Sequence, residues 1–166
     1  MLPEYEKILE TARSKRKENK SFFLKLKKYN PKDLDEITHQ FHEEAFSKID
    51  CLKCANCCFT TGPLLKNRDI NNLSKELNLR PAEFTEKYLR VDEDNDYVFK
   101  KMPCPFLGTD NYCSVYQSRP GACSDYPHTQ ERNIATKLPA LFLNSMICPA
   151  VAVVTTKLRL HYRHLI

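Results

Sequence analysis

At 166 residues and 42% hydrophobic content the chain is long enough for one globular domain with a moderate core, and its longest apolar stretch, Ala150–Val154, falls far short of the roughly 20 residues a membrane-crossing helix needs. The formal charge of +5 sits entirely in residues 1–30, which hold nine Lys/Arg against four Glu. The other 136 residues balance at 17 against 17, so no strong footprint for nucleic acid remains. With glycine only at Gly62, Gly108 and Gly121, there is no glycine-rich loop to cradle a phosphate.

In chain order, Tyr5, Ile8 or Leu9, Ala12, Phe22, Phe23, Leu26 and Tyr29 recur at helical spacing up to a stop at Asn30-Pro31. Asp33 then stands where it can cap a second helix, whose apolar stripe runs Leu34, Ile37, Phe41, Ala45, Ile49. These two helices predict an N-terminal antiparallel hairpin. After the turn Thr60-Thr-Gly-Pro63, a short helix carries Ile70, Leu73 and Leu77. Another opens at Pro81 and buries Phe84 and Tyr88. Acids at residues 92, 94 and 96 mimic the start of a calcium loop. Tyr97 occupies the position where the sharp turn needs Gly and Pro103 the position of the bidentate Glu, so a solvated acidic turn is expected. Residues 97–102 read as a short strand, and residues 104–148, punctuated by Pro105, Pro120, Pro127 and Pro139, as irregular chain. Pro149 begins a last helix with Val151, Val154, Leu158, Tyr162 and Leu165 on one face. It places Cys148 at the N-cap, where the helix dipole favours a thiolate.

The chemistry lies in the cysteines. Four of eight fall in one eight-residue window, Cys51, Cys54, Cys57 and Cys58, and the rest are Cys104, Cys113, Cys123 and Cys148. A C-x-x-C step lets two thiolates converge on one ion, and repeating it adds a third ligand. Adjacent side chains leave the backbone in different directions, so Cys57 and Cys58 are expected to feed two different sites. Eight thiolates complete two tetrahedral sites, and with two dications they bring the formal charge to about +1. A disulfide framework is the competing reading. The opening Met-Leu-Pro-Glu-Tyr-Glu-Lys has no apolar secretory core, so a cytoplasmic, reducing setting is the expectation. Sulfur ligands suit zinc, iron and iron–sulfur clusters and exclude magnesium, calcium and manganese. The triple run followed by single cysteines, and Cys-Pro at both Cys104 and Cys148, favours a cluster such as 4Fe–4S slightly over zinc.

Other motifs are weaker. Glu36-x-x-His39 lacks the second copy a di-iron bundle needs, and His39-x-x-His42-Glu43 is not the order of a zinc peptidase. His161 and His164 suit the cationic end of the last helix.

Taken in order, Cys51-x-x-Cys54-x-x-Cys57-Cys58, Cys104-Pro-Phe-Leu, Cys113-Ser-Val-Tyr116-x-x-Arg119-Pro120-x-x-Cys123 and Tyr126-Pro127 resemble the YkgJ-type cysteine-cluster family of zinc- or iron-chelating domains. Two positions depart from that pattern: Asn56 where Gly is usual, and Ser124 where Arg is usual. The resemblance implies a metal-binding domain over residues 50–150, and the apolar periodicity outside it gives a helical segment 1–49 before that domain and a C-terminal helix 151–166 packed on it. Tyr116 and Arg119 are expected just behind the thiolates. The expected fold is mainly α, a helical hairpin on an irregular cysteine-rich core that a metal stabilises. The expected function is metal binding as an accessory or cluster-carrying module. Alternatives are an enzyme that uses the centre, or a thiol oxidoreductase built on Cys54 and Cys57. Metal ions are the expected partners, an unidentified protein is a further one, and nucleic acid is not expected.

Overall fold

The periodic stretch of residues 5–29 folds as two helices, α1 Pro3–Ser14 and α2 Arg16–Tyr29, which break at Lys15. The sequence explains the break: Arg13 to Lys17 offers no apolar side chain with which a straight helix could hold a core through the joint. Asn30 ends α2 in the left-handed conformation at φ 50°, its amide bonded to the Leu26 carbonyl, just before Pro31. The computed structural model describes residues 1–165. Its regular structure is mainly α: among the described residues there are nine α-helices and one two-stranded sheet. No helix of the described residues is long and apolar enough to cross a membrane.

Two compact units result, one from residues 1–54 and 127–166, the other from residues 55–126. The first holds α1, α2, α3 Leu34–Phe46, α8 Ile134–Asn144 and α9 Pro149–His161. α3 and α1 both pack on α9, and α2 packs on α8, so the strongest partners of the N-terminal helices are C-terminal ones. Asp33 does stand at the N-cap of α3, but its side chain makes no cap bond. Its carboxylate instead accepts the Tyr162 hydroxyl at 2.9 Å, and burial together with that bond pushes the Tyr162 phenol up. The buried face of α3 is Leu34, Thr38, His42 and Ala45, so it takes in two polar residues that an apolar count passes over. α9 is buried on most sides, through Ala150, Val151, Ala152, Val154, Thr155 and Leu158.

Helix α8 corrects the expectation of irregular chain across residues 104–148. Pro139 lies inside it and removes one helical hydrogen bond. Two effects outweigh the loss. Ile134, Leu138 and Leu141 are each 1% exposed or less, and Asp35 of α3 caps the helix start, accepting from the Asn133 and Ile134 amides at 2.7 and 2.8 Å. A cap supplied by a residue 99 positions away leaves no local sequence signature.

The second unit holds α4 Asn56–Thr60, α5 Asn67–Glu76, α6 Pro81–Tyr88, strands β1 Leu89–Val91 and β2 Tyr97–Phe99, and α7 Gly121–Asp125. Pro81 takes the first turn of α6 as expected. The strands pair antiparallel with Leu89 opposite Phe99. The acidic turn between them folds around its own backbone, Asp92 accepting the Asp94 and Asp96 amides. Phe106 anchors the core, its ring 5.2 Å from Tyr88, 5.6 Å from Phe99 and 6.3 Å from Phe84. Cys104 and Cys113 pack against this cluster.

Removing the tertiary cap should be visible in the first unit. Asp35→Ala is expected to lower unfolding stability by about 1–2 kcal/mol in urea titration, with Asp35→Asn recovering part of it. An unchanged midpoint would mean that α8 does not depend on the carboxylate.

Candidate metal centre

Four cysteines of the second unit are brought together by backbone contacts. Cys58 lies in α4, and its carbonyl accepts the Cys104 amide at 2.8 Å, so residue 104 runs beside that helix. From Cys104 the chain loops back on itself through an antiparallel bridge between Leu107 and Cys113. The Gly108 amide donates to the Tyr112 carbonyl at 2.7 Å, and Asp110 accepts the Tyr112 amide at 3.0 Å. A Cβ at Gly108 would crowd the Asp110 carboxylate at 2.6 Å and the Tyr112 carbonyl at 3.3 Å, so a larger residue would require this turn to shift. Cys123 is set by α7, whose start is tied down by Asp69 of α5. One oxygen of that carboxylate accepts the Gly121 amide at 3.0 Å, the other the Lys66 amide at 2.8 Å.

The electrostatics show that these sulfurs feel one another. The Cys104 thiol is pushed up to about 11, first by burial and then by the charges of Cys58 and Cys113, while the amides of Phe106 and Leu107 pull the other way. Cys113 is raised by burial and by Cys58, and lowered by the Val115 amide and by Arg119. Cys123 is exposed as a residue, yet its thiol is pushed up to about 12, first by loss of water around the sulfur and then by Cys104, Cys58 and Cys113. Cys58 alone moves down, to about 7, because the Cys57 thiol hydrogen-bonds it against the opposing effect of burial; the two sulfurs are 4.0 Å apart. Thiols raised in this way stay protonated unless a cation offsets the charge, and a soft cation is the partner that an all-sulfur set accepts.

In the first unit Cys51, Cys54 and Cys148 form a second neighbourhood. Cys51 opens a 3-10 turn, Cys51–Lys53, begun by Asp50, whose carboxylate accepts the Leu52 amide at 2.9 Å. Its carbonyl accepts the Cys54 amide at 3.0 Å. Cys54 is buried, and its sulfur lies 3.8 Å from the Met1 thioether. Cys148 occupies the N-cap of α9, the position expected for it. Its thiol is pushed up to about 12 by burial, with added repulsion from Cys51 and Cys54, and the amides of Val151 and Ala150 oppose this. No cap hydrogen bond is closed to that sulfur, so these amides act as dipoles. Ala55, the next residue after this set, is left-handed at φ 48°.

Among the described residues no three His, Cys, Asp or Glu side chains converge into a finished cage. The sulfurs of Cys58, Cys104 and Cys113 bear on Cys123, and those of Cys51 and Cys54 on Cys148. Arg119 stacks 4.0 Å over the Tyr116 ring and donates to the Tyr116 carbonyl at 3.1 Å, and its charge favours the ionised forms of Cys113 and Cys123. The histidines are engaged elsewhere: His39 with the Glu131 carbonyl at 2.9 Å, His42 with Thr129 at 2.6 Å and stacked on Phe46, and His161 against Phe41 and Tyr162. Asp69 is the positioning residue that sequence reading missed. Its carboxylate accepts the Lys66 amide at the start of α5, and its second bond, to Gly121, spans 52 residues and has no sequence signal.

The model of the CxxCxxCC family, described as "Putative zinc- or iron-chelating domain", matches residues 50–140. No curated protein and no solved structure matches the chain. The matched segment covers more than half of the 166 residues and contains seven of the eight cysteines, all but Cys148, and on that ground the chain belongs to the CxxCxxCC family.

Proposed function

We propose that the chain is a metal-carrying accessory module whose cysteines hold iron, as an iron–sulfur cluster in preference to zinc. The observation that carries this reading is the gathering of Cys58, Cys104, Cys113 and Cys123 within one unit, where the charges of Cys104, Cys58 and Cys113 all reach the Cys123 thiol. Four thiolates are the ligand set of a cubane cluster and equally of a tetrahedral zinc site. The preference for iron comes from the C-x-x-C-x-x-C run and the two Cys-Pro steps. All eight cysteines together are the number that two such centres use.

In this reading the residues divide the work. The loop from Cys104 to Cys113 and α7 hold three sulfurs, those of Cys104, Cys113 and Cys123. The amides of Phe106, Leu107 and Val115 temper the negative charge that ligation places on Cys104 and Cys113. Arg119 is a positioning residue that adds a fixed positive charge behind Cys113 and Cys123, and Tyr116 holds its guanidinium flat. When bound, the centre supplies a structural clamp and, as a cluster, a one-electron carrier. A bound structural metal contributes on the order of 10–16 kcal/mol in small peptides, which rivals the whole stability of a domain at about 5–15 kcal/mol.

Anaerobically purified protein is expected to be brown, with absorption near about 400 nm, and to contain iron with acid-labile sulfide. A colourless protein containing stoichiometric zinc would replace the cluster reading with a structural zinc one. Cys113→Ser is expected to lower metal content and to drop the melting temperature by on the order of 10 °C, whereas a variant with full metal and unchanged melting would remove Cys113 from the ligand set. Metal removal by a chelator should raise amide hydrogen exchange across residues 104–125 and leave α8 and α9 protected. Equal exchange in both states would show that the irregular segment holds its shape without metal.

A further inference from the structure

Helices α1, α2 and α9 of the first unit, with the final 3-10 turn Arg163–Leu165, enclose a groove of about 550 Å3 that lies apart from every cysteine in the unit's sequence. That volume falls within the roughly 300–1,000 Å3 of small-ligand sites. All of its lining residues fall between positions 8 and 19 or 152 and 163, outside the segment 50–140 that matches the family, so the groove belongs to what this chain adds to the family domain. Its floor is apolar, made by Ile8, Ala12, Ala152, Val153 and Leu160. Leu160 stays 66% exposed, a large apolar side chain with no cover among the described residues.

The charge around this floor is of one sign. Lys15, Lys157, Arg159 and Arg163 line the groove, and no carboxylate does. Two of these cations are already engaged: Lys157 with Glu44, and Arg159 with Glu18 at 2.8 Å. Lys15 and Arg163 have no carboxylate partner among the described residues. Arg159 is held by partners of its own unit. Its two terminal nitrogens are fixed by Glu18 and by the buried Asn19, at 3.0 Å, while its Nε is buried and has no hydrogen-bond partner.

We propose that this groove binds a single-chain amphiphilic anion, its apolar tail on the Ile8–Ala12–Leu160 floor and its carboxylate or phosphate head among Lys15, Arg159 and Arg163. A cationic amphiphile is disfavoured by Lys15 and Arg163, the two lining cations without a carboxylate partner among the described residues. A small inorganic anion would leave the apolar floor uncovered. The inference does not rest on the metal reading, since no cysteine lines the groove.

The test is isothermal titration calorimetry of the full chain with dodecanoate below its micelle-forming concentration, with dodecylammonium and inorganic phosphate as controls. Saturable binding of one dodecanoate per chain is expected, with none of dodecylammonium and none of phosphate alone. Lys15 and Arg163 are exposed, so the double variant K15E/R163E should keep its circular dichroism and metal content while weakening dodecanoate about tenfold, as loss of two partly solvated attractions implies. Thr156→Trp, at another exposed lining position, should block the groove sterically and abolish binding without changing the charge. Equal binding of dodecylammonium and dodecanoate, or dodecanoate binding that neither variant weakens, would overturn the proposal. Binding of the chain to phosphatidylglycerol vesicles without any binding of free dodecanoate would overturn it too, and would assign the basic face to a membrane surface.

Discussion

Sulfur atoms that share a small volume cannot all carry charge without a counter-ion, and the second unit is arranged around that restriction. Residues 55–126 bury eight apolar side chains in their core, a modest number for 72 residues, and the thiols of Cys104 and Cys113 lie against the edge of it. Burial raises these thiols, and each neighbouring sulfur adds to the effect. The backbone around them is turns and short helices, held by a few hydrogen bonds and the Phe106 aromatic cluster. A soft cation would remove the repulsion and supply the cross-links that such a segment otherwise lacks. This is the physical sense in which the proposed centre and the local fold depend on each other.

The first unit is stabilised by different means. Its core of helices from both parts of the sequence is well filled: Leu26, Leu138, Leu141, Val151, Val154 and Leu158 are all at most 1% exposed. Cys54 and Cys148 sit within or against that core, so in this unit the thiols are attached to a structure that packing already supports. The two groups of cysteines thus have different surroundings, although the sequence presents Cys51 to Cys58 as one uninterrupted run.

The parts legible in the sequence are those governed by local physics. Pro81 and Pro149 announce helix starts, Asn30-Pro31 announces a stop, and the spacing of Val151, Val154, Leu158 and Tyr162 gives the buried face of α9. The cysteine spacing gives the family. What was hidden is long-range. Pro139 argues against a helix unless one knows that Asp35 caps it and that Leu138 and Leu141 are buried. The break at Lys15 comes from a missing apolar anchor in an otherwise continuous pattern. Thr38 and His42 occupy a buried face because Thr38 returns its hydroxyl to the Leu34 carbonyl and His42 meets Thr129, partners that periodicity cannot supply. For the cysteines, spacing suggests which thiols are ligands, but their grouping follows from the bridge between Leu107 and Cys113 and from the placement of α7.

Asp69 shows what such remote ties entail. One carboxylate spends both oxygens on main-chain amides, Lys66 at the start of one helix and Gly121 at the start of another. The seat of Cys123 is therefore inherited from α5: until that helix has formed, the oxygen that receives Gly121 has no fixed address. The start of α5 and the seat of the unit's last sulfur thus share one side chain, so a change at Asp69 would reach both.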